Sequence, residues 1–270
     1  MLSTLNTAVS GLNYFQNQLE VIGNDVANSN TTGFKSGKVE AVDNFNKYFS
    51  PGSSTASSIQ IGSGVSTSSV STDFQNGTIA DTGYATDMAV DGNGYFTVQD
   101  PNSKINYVTR DGHFSVDTDH YLVNSSGYRV QGYKDGTLAT VGDIQIDGAG
   151  FGGQMQGYSI GGDGKITIID GTGTPQTRGQ VLLQTFSNQS ALVKQGGNMY
   201  ANTAAAGAST AAPPSTAGNG KLRVKALEQS NVDLAGELTS LITMQRGYQA
   251  NARIVTTTDD ILQEVVNLKR

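Results

Sequence analysis

The chain of 270 residues has no cysteine, no tryptophan, only 5 prolines and 7% aromatic residues. Without cysteine there is no disulfide framework, no Cys-ligated zinc and no thiol nucleophile. The same absence suits a chain that meets oxidising surroundings without needing staples. Without tryptophan, and with so few rings, no large aromatic core is available. Lys and Arg form no run and the net charge is −6, so nucleic acid is not an expected partner. No stretch reaches the roughly 20 apolar residues that span a bilayer, so membrane insertion is not expected either. The first basic residue is Lys35, which leaves no positive segment of the kind that opens a cleaved secretory signal. By ordinary rules the chain is cytosolic, unless a route that cleaves no signal exports it.

Glycine is abundant, at 34 residues, without proline in step and without a G-X-Y period. That composition fits many tight turns between short strands rather than a collagen-like rod.

The two ends differ from the middle. From Leu234 the apolar positions run Leu234, Leu238, Leu241, Tyr248, Ala252, Val255, Leu262 and Val266, and Gln245 and Asp259 fill the two gaps in a 4-3-4-3 alternation. This is a coiled-coil seam of about five heptads. A shorter seam opens the chain at Leu2, Leu5, Val9, Leu12 and Leu19, with Ile22 and Val26 beyond it. The bland reading is a helical hairpin of the two ends. The functional reading is packing between subunits. The N-terminal stripe is the shorter, so a hairpin leaves part of the long helix uncovered, and pairing within the chain followed by packing between chains is expected.

Residues 3 to about 27 read as a helix with Ser3 as cap, weakened by Gly11 and Gly23 at roughly 1 kcal/mol each relative to Ala. Asn28-Ser29-Asn30-Thr31-Thr32-Gly33 breaks it, with Gly33 as the left-handed position. Residues 50–72 read as a Ser/Thr/Gly-rich arm with Ile59-Gln60-Ile61 as a short strand. Between 73 and 200, runs such as Tyr95-Phe96-Thr97-Val98, Tyr107-Val108-Thr109 and Ile144-Gln145-Ile146 alternate with turn chemistry such as Asp91-Gly92-Asn93-Gly94. Residues 201–220 are almost wholly small or polar and read as a linker. Ser230 with Asp233 resembles a capping box, opening a helix from Val232 to Leu268, about 55 Å long at 1.5 Å per residue.

The expected fold class is therefore α+β, with discontinuous terminal coiled-coil helices and a mainly-β domain of hairpins. Residues 1–34 and 226–270 form the helical assembly domain, 35–72 an arm, 73–200 the β domain and 201–225 a low-complexity linker.

Motifs of chemistry are poor in context. Gly157-Tyr158-Ser159-Ile160-Gly161 matches the nucleophile-elbow pattern, but both histidines, His113 and His120, precede it and no helical pattern follows. Gly148-Ala149-Gly150-Phe151-Gly152-Gly153 matches a dinucleotide-binding pattern without its helix. Asp117 and Asp119 start like a calcium loop whose later glycine and glutamate are replaced by Leu122 and Tyr128. Two histidines make no zinc site alone and read as exposed turn residues. No catalytic, cofactor or metal site is expected.

Five segments are similar to one family. Asn24-Asp25-Val26-Ala27-Asn28-Ser29-Asn30-Thr31-Thr32-Gly33-Phe34-Lys35 resembles the N-N-x-A-N-x-x-T-x-G-F-K signature of bacterial flagellar rod and hook proteins, with Asp25 where Asn is common. Asp91-Gly92-Asn93-Gly94-Tyr95-Phe96 resembles the family's G-x-G-F-F strand, and Tyr107 to Phe114 its Y-T-R-x-G-x-F hairpin. Leu227 to Leu234, containing Asn231, and Gln245 to Ala252, containing Arg246, resemble its C-terminal helix. The resemblance implies a structural subunit, not an enzyme, that passes unfolded through the flagellar type III export apparatus and polymerises into a helical tube transmitting torque. Its partners would be copies of itself and neighbouring rod, hook-cap or hook–filament junction proteins. Its place would be the hook–basal body, extracellular in a hook and periplasmic in a rod. Within the family, Asp73 to Gly83, Tyr128 to Tyr133 and the ending Val265 to Arg270 look most like hook proteins, so a short hook protein is the main expectation. Length argues for a distal rod protein, the alternative, and a proximal-rod paralogue comes third. A secreted β domain on a coiled-coil stalk and a Ser159 hydrolase are the competing readings.

Overall fold

The computed structural model describes residues 2–44, 47–50, 59–134, 136, 138–146, 157–169, 174–202 and 204–268. The chain folds as two compact units. The first comprises Met1–Ser29, Lys35–Asp73 and Val232–Arg270; the second comprises Asn30–Phe34 and Phe74–Asn231. The architecture is α+β.

Two long helices dominate the first unit: α1, Leu2–Ala27, and α2, Leu234–Asn267. α2 starts at its aspartate. Asp233 is extended, with φ −87°, and its side chain accepts a hydrogen bond from the Ala235 N–H at 3.1 Å. The cap is thus Asp233, not the expected Ser230. A carboxylate there satisfies an orphan amide and meets the positive end of the helix dipole. At the end of α1, the Asn28 side chain donates to the Asn24 carbonyl at 2.9 Å.

The two helices run antiparallel and close. A Cβ on Gly11 would come within 2.5 Å of Asn251 Nδ2, and one on Gly247 within 2.6 Å of the Phe15 ring. Both glycines therefore serve close approach, not flexibility. Gly23, by contrast, has nothing within 4 Å of where a Cβ would stand. Gly23→Ala should stabilise α1 by about 1 kcal/mol, seen as raised helicity by circular dichroism with assembly unchanged.

Residues 35–72, expected as an arm, belong to this unit. Gly37–Asp43 pairs antiparallel with Val65–Thr72, from Gly37 opposite Thr72 to Asp43 opposite Val65, with a bulge at Glu40/Ala41. Lys47–Ser50 pairs with Ile59–Ile61, the short strand expected there. The hairpin lies on a polar face of α1. Asn17 Nδ2 donates to Thr67 Oγ1 at 2.9 Å, and Ser10 Oγ accepts from the Val65 N–H at 3.2 Å. An apolar-stripe argument has no purchase on a contact made by Ser, Asn and Thr.

The second unit is built on a twelve-stranded antiparallel sheet among the described residues. Its main path runs through 157–160, 165–169, 175–181, 129–133, 95–99, 106–109, 199–201 and 193–196. Two separate ladders join 88–91 to 221–224 and 79–81 to 226–228. Aliphatic residues fill the main core, with Phe96 edge-on to Phe114 at 5.2 Å. A smaller cluster gathers Tyr95, Phe186 and Tyr200 with Phe74 against them. Four such rings supply the specific packing that a tryptophan-free chain would otherwise lack.

Two expectations change here. Residues 201–225 are packed rather than a linker. Ala206 is fully buried, Ala208 bridges to Phe186, Ala212 bridges to Leu183, and buried Asn219 donates to the Ala212 carbonyl at 2.9 Å. Small side chains let this backbone lie directly on the sheet, which composition alone reads as linker. Ile144-Gln145-Ile146 is not a strand, although Ile144 and Ile146 are buried; the ladder is made by Val141–Asp143 just before it.

Candidate assembly site

The seam residues can now be placed on the helices. On α1, Leu5, Leu12 and Leu19 are half-buried, while Val9 is exposed. The most buried apolar positions are Ala8 and Ile22, with Gly11 between them. On α2, Leu241, Val255 and Leu262 are half-buried, while Leu234, Leu238 and Tyr248 are exposed, Leu238 by 50%. Also covered within the chain are Glu237, Ser240, Met244, Gly247, Asn251 and Thr258, a stripe turned about a quarter turn round the helix from the heptad seam at 3.6 residues per turn. The chain's own hairpin therefore covers one face most closely and leaves Leu234, Leu238, Tyr248 and Val266 of the apolar seam exposed. Gly11 and Gly247 were the signal for the internal face, since two glycines in helix interiors mark close approach.

A cleft of about 350 Å³ in this unit is lined by residues including Gln18, Ile22, Lys38, Asp73, Glu237 and Met244. Glu237 is held above the usual carboxylate range by burial first, then by the charges of Asp25 and Asp233. Asp25 is itself buried and accepts from the Gly37 N–H at 2.9 Å, an acceptor role within the reach of an Asn carbonyl oxygen as well.

The signature residues do structural work in the β unit. Thr32 Oγ1 donates to Asp111 Oδ1 at 2.8 Å, Asn198 Nδ2 donates to the Thr32 carbonyl at 2.7 Å, and Gly33 N–H donates to the Glu228 carbonyl at 2.8 Å. Gly33 has φ +66°, as its place in the break predicts, and a Cβ there would sit 2.6 Å from the Asp111 nitrogen. Phe34 is buried under Lys194 Nζ, 4.9 Å from its ring centre. Asn231 returns to the same place: its N–H donates to the Phe34 carbonyl at 3.4 Å and its Nδ2 to the Gln75 carbonyl at 3.3 Å. Segment 30–34 is thus clamped beside the point where residues 228–231 leave the β unit. Of the other signature residues, Asn24 Oδ1 accepts from Asn28 Nδ2 at 3.1 Å, Lys35 is buried, and Arg246 is exposed on α2.

Beneath the clamp is a buried ion pair that sequence reading missed. Arg110 Nη1 lies 3.4 Å from Glu228 Oε2, with both side chains almost fully buried. Arg110 also donates to the Val90 and Gly92 carbonyls and lies 4.8 Å over the Tyr95 ring. Glu228 Oε1 accepts from the Gly77 N–H at 3.0 Å. Burial pushes the Tyr95 hydroxyl up to about 12, against the opposing pull of Arg110.

Asp111 is raised above the ordinary carboxylate range, chiefly by burial. A group raised by folding contributes stability that is fully present below its unfolded pKa and is lost as pH rises through the folded value. Asp111→Asn keeps the acceptor for Thr32 and for the His113 N–H and removes the buried charge. It should raise the β unit's urea midpoint at pH 7 and flatten the pH dependence above about pH 4.

The doubtful motifs resolve locally. Ser159 lies inside a strand, opposite Thr167, not on an elbow. Gly148 to Gly153 lie outside the described residues. Asp117 Oδ1 accepts from the Thr118 N–H at 2.7 Å within a turn. His113 is not merely exposed: its Nδ1 lies 2.9 Å from buried Asp87. Among the described residues, no cluster of three or more His, Asp or Glu could hold a metal ion, and neither helix is long and apolar enough to cross a membrane.

Known proteins match along the whole chain. Three family models fit: "Flagella basal body rod protein" over residues 5–35, "Flagellar hook protein FlgE/F/G D1 domain" over 89–168, and "Flagellar basal body rod FlgEFG protein C-terminal" over 223–268. The flagellar basal-body rod protein FlgG of Bacillus subtilis (strain 168) is 40% identical over 277 aligned residues, covering 100% of both chains. The chain belongs to the FlgE/F/G family of flagellar rod and hook proteins. The FlgG rod protein of Caulobacter vibrioides is 35% identical, with 99% of this chain and 100% of that one covered. The hook protein FlgE of Salmonella typhimurium is 26% identical, and its alignment runs over 415 positions. This FlgE/F/G chain is a structural flagellar subunit, and its likeness to rod proteins outweighs the expected hook identity. The alignment to the hook protein runs over 415 positions, against the 270 residues of this chain.

Proposed function

We propose that this chain is the distal rod protein of the flagellar basal body, a subunit that polymerises head to tail into a straight tube transmitting torque. Full-length similarity to FlgG at 40% identity carries this reading. The exposed part of the apolar seam of α2 supports the polymer: Leu234, Leu238 and Tyr248 are 40–50% exposed, and exposed apolar stripes of this kind belong in interfaces. Open head-to-tail contacts that do not close into a ring generate such tubes. In this reading Leu5, Val9, Leu12, Leu19, Leu234, Leu238, Leu241, Tyr248, Val255 and Leu262 set subunit register. The β unit, clamped at 30–34 and 228–231, is the stiff body attached to them. The partners are copies of the chain, adjacent rod and hook proteins, and the type III apparatus that exports it without signal cleavage into the periplasmic part of the basal body.

Purified hook–basal bodies labelled with antibody against the β unit test the reading. Label on the rod, below the hook, is expected. Label along the curved hook would contradict it.

A further inference from the structure

We infer that neighbouring copies pack their α2 seams in parallel with a stagger of 14 residues, which sets Gln245 of one copy against Asp259 of the next. The inference rests on the polymer reading and adds the register. In an open head-to-tail polymer all copies point the same way, so two seams meet in parallel. Heptad positions then coincide only for shifts of 0, 7, 14 or 21 residues. The seam contains two polar members, Gln245 and Asp259, which are 14 apart. Both are exposed in the folded chain. Gln245 has no hydrogen-bond partner among the described residues, and Asp259 uses only Oδ2, accepting from Gln263 Nε2 at 3.1 Å.

These two residues separate the shifts. With no stagger, Asp259 meets its own copy and two carboxylates are brought together as the seam closes. A shift of 7 sets Gln245 against Leu238 and Ala252, and Asp259 against Ala252 and Val266, so each polar group loses water without gaining a partner. A shift of 21 sets Leu238 against Asp259 and Gln245 against Val266. Only the shift of 14 pairs polar with polar without bringing like charges together, the Gln245 amide donating to the Asp259 carboxylate. The same shift pairs Leu234 with Tyr248, Leu241 with Val255 and Tyr248 with Leu262. A single polar position in a seam is the known device for fixing register. The stagger corresponds to about 21 Å along the helix at 1.5 Å per residue.

The natural absence of cysteine makes a direct test available. Gln245→Cys and Asp259→Cys are placed together in the full-length chain, which is polymerised, oxidised and run on a denaturing, non-reducing gel. Within one helix the two sites are too far apart to bridge, so any bond is between copies. A ladder of multimers from the double variant, absent from either single variant, is expected. Dimers from Gln245→Cys alone would put copies in register and overturn the inference, as would a double variant that polymerises without a ladder. If that variant does not assemble, Leu241→Cys with Val255→Cys carries the same spacing and is read the same way. An unaltered chain that never polymerises would remove the polymer reading itself, and the stagger with it.

Discussion

Glu228→Ala lowers the stability of the β unit by roughly 3–5 kcal/mol, the usual cost of breaking a buried ion pair from one side. The reason is Arg110. Its guanidinium cannot shed its proton, and it is almost completely buried between Tyr95 and the carbonyls of Val90 and Gly92. Removing the carboxylate leaves that charge facing only carbonyl dipoles and a ring. It also releases the Gly77 N–H, which the same carboxylate holds. Against a typical domain stability of about 5–15 kcal/mol, the loss is a large fraction of the whole. Replacing both partners together, Arg110→Met with Glu228→Leu, should recover most of it, because apolar residues of similar volume often match a buried pair. Urea denaturation of the parent, Arg110→Met, Glu228→Leu and their combination gives the cycle, with Glu228→Ala read beside it. A single Glu228→Ala variant with an unchanged midpoint would mean the pair carries no net weight.

Leu238→Asp should abolish polymerisation while leaving the folded chain intact. Leu238 is half exposed and lies away from the face that meets Gly11 and Phe15, so the substitution costs nothing inside the hairpin. Between copies it buries an unpaired carboxylate within the seam, at several kcal/mol per contact, repeated at every subunit. Sedimentation should show monomer at concentrations where the parent polymerises, with the β unit's denaturation midpoint unchanged. Leu241 is a poorer probe, because it is half covered within the chain and its loss disturbs both faces. Normal polymers from Leu238→Asp would remove the seam from the interface.

The ends of this protein were legible because their periodicity is long and regular. Leu234 to Val266 announces a helix and an apolar face, and α2 spans nearly the expected length. What periodicity could not say is which face is used at home. The internal contact is made by Gly11, Gly247 and Asn251, with Phe15 against Gly247; the small and polar members leave no hydrophobic signature, and Phe15 stands outside the heptad stripe. The hairpin of residues 37–72 was missed for the same reason, since Ser10, Asn17 and Thr67 hold it by hydrogen bonds. Composition misled at 201–225, where Ala and Gly permit close backbone packing as readily as disorder. The clamp was half visible. Gly33 and Phe34 stood out as motif residues, but Asp111, Asn198 and Glu228 come from distant segments that no local pattern connects. Asp73 to Gly83, Tyr128 to Tyr133 and Val265 to Arg270 pointed to a hook, while the length of the chain pointed to the rod proteins it matches end to end at up to 40% identity.

The most direct test of the rod reading is electron microscopy of basal bodies from a strain lacking this gene. A rod that stops short, with no hook beyond it, is the predicted result. A complete rod that lacks only the curved hook would make this chain a hook protein and contradict the account.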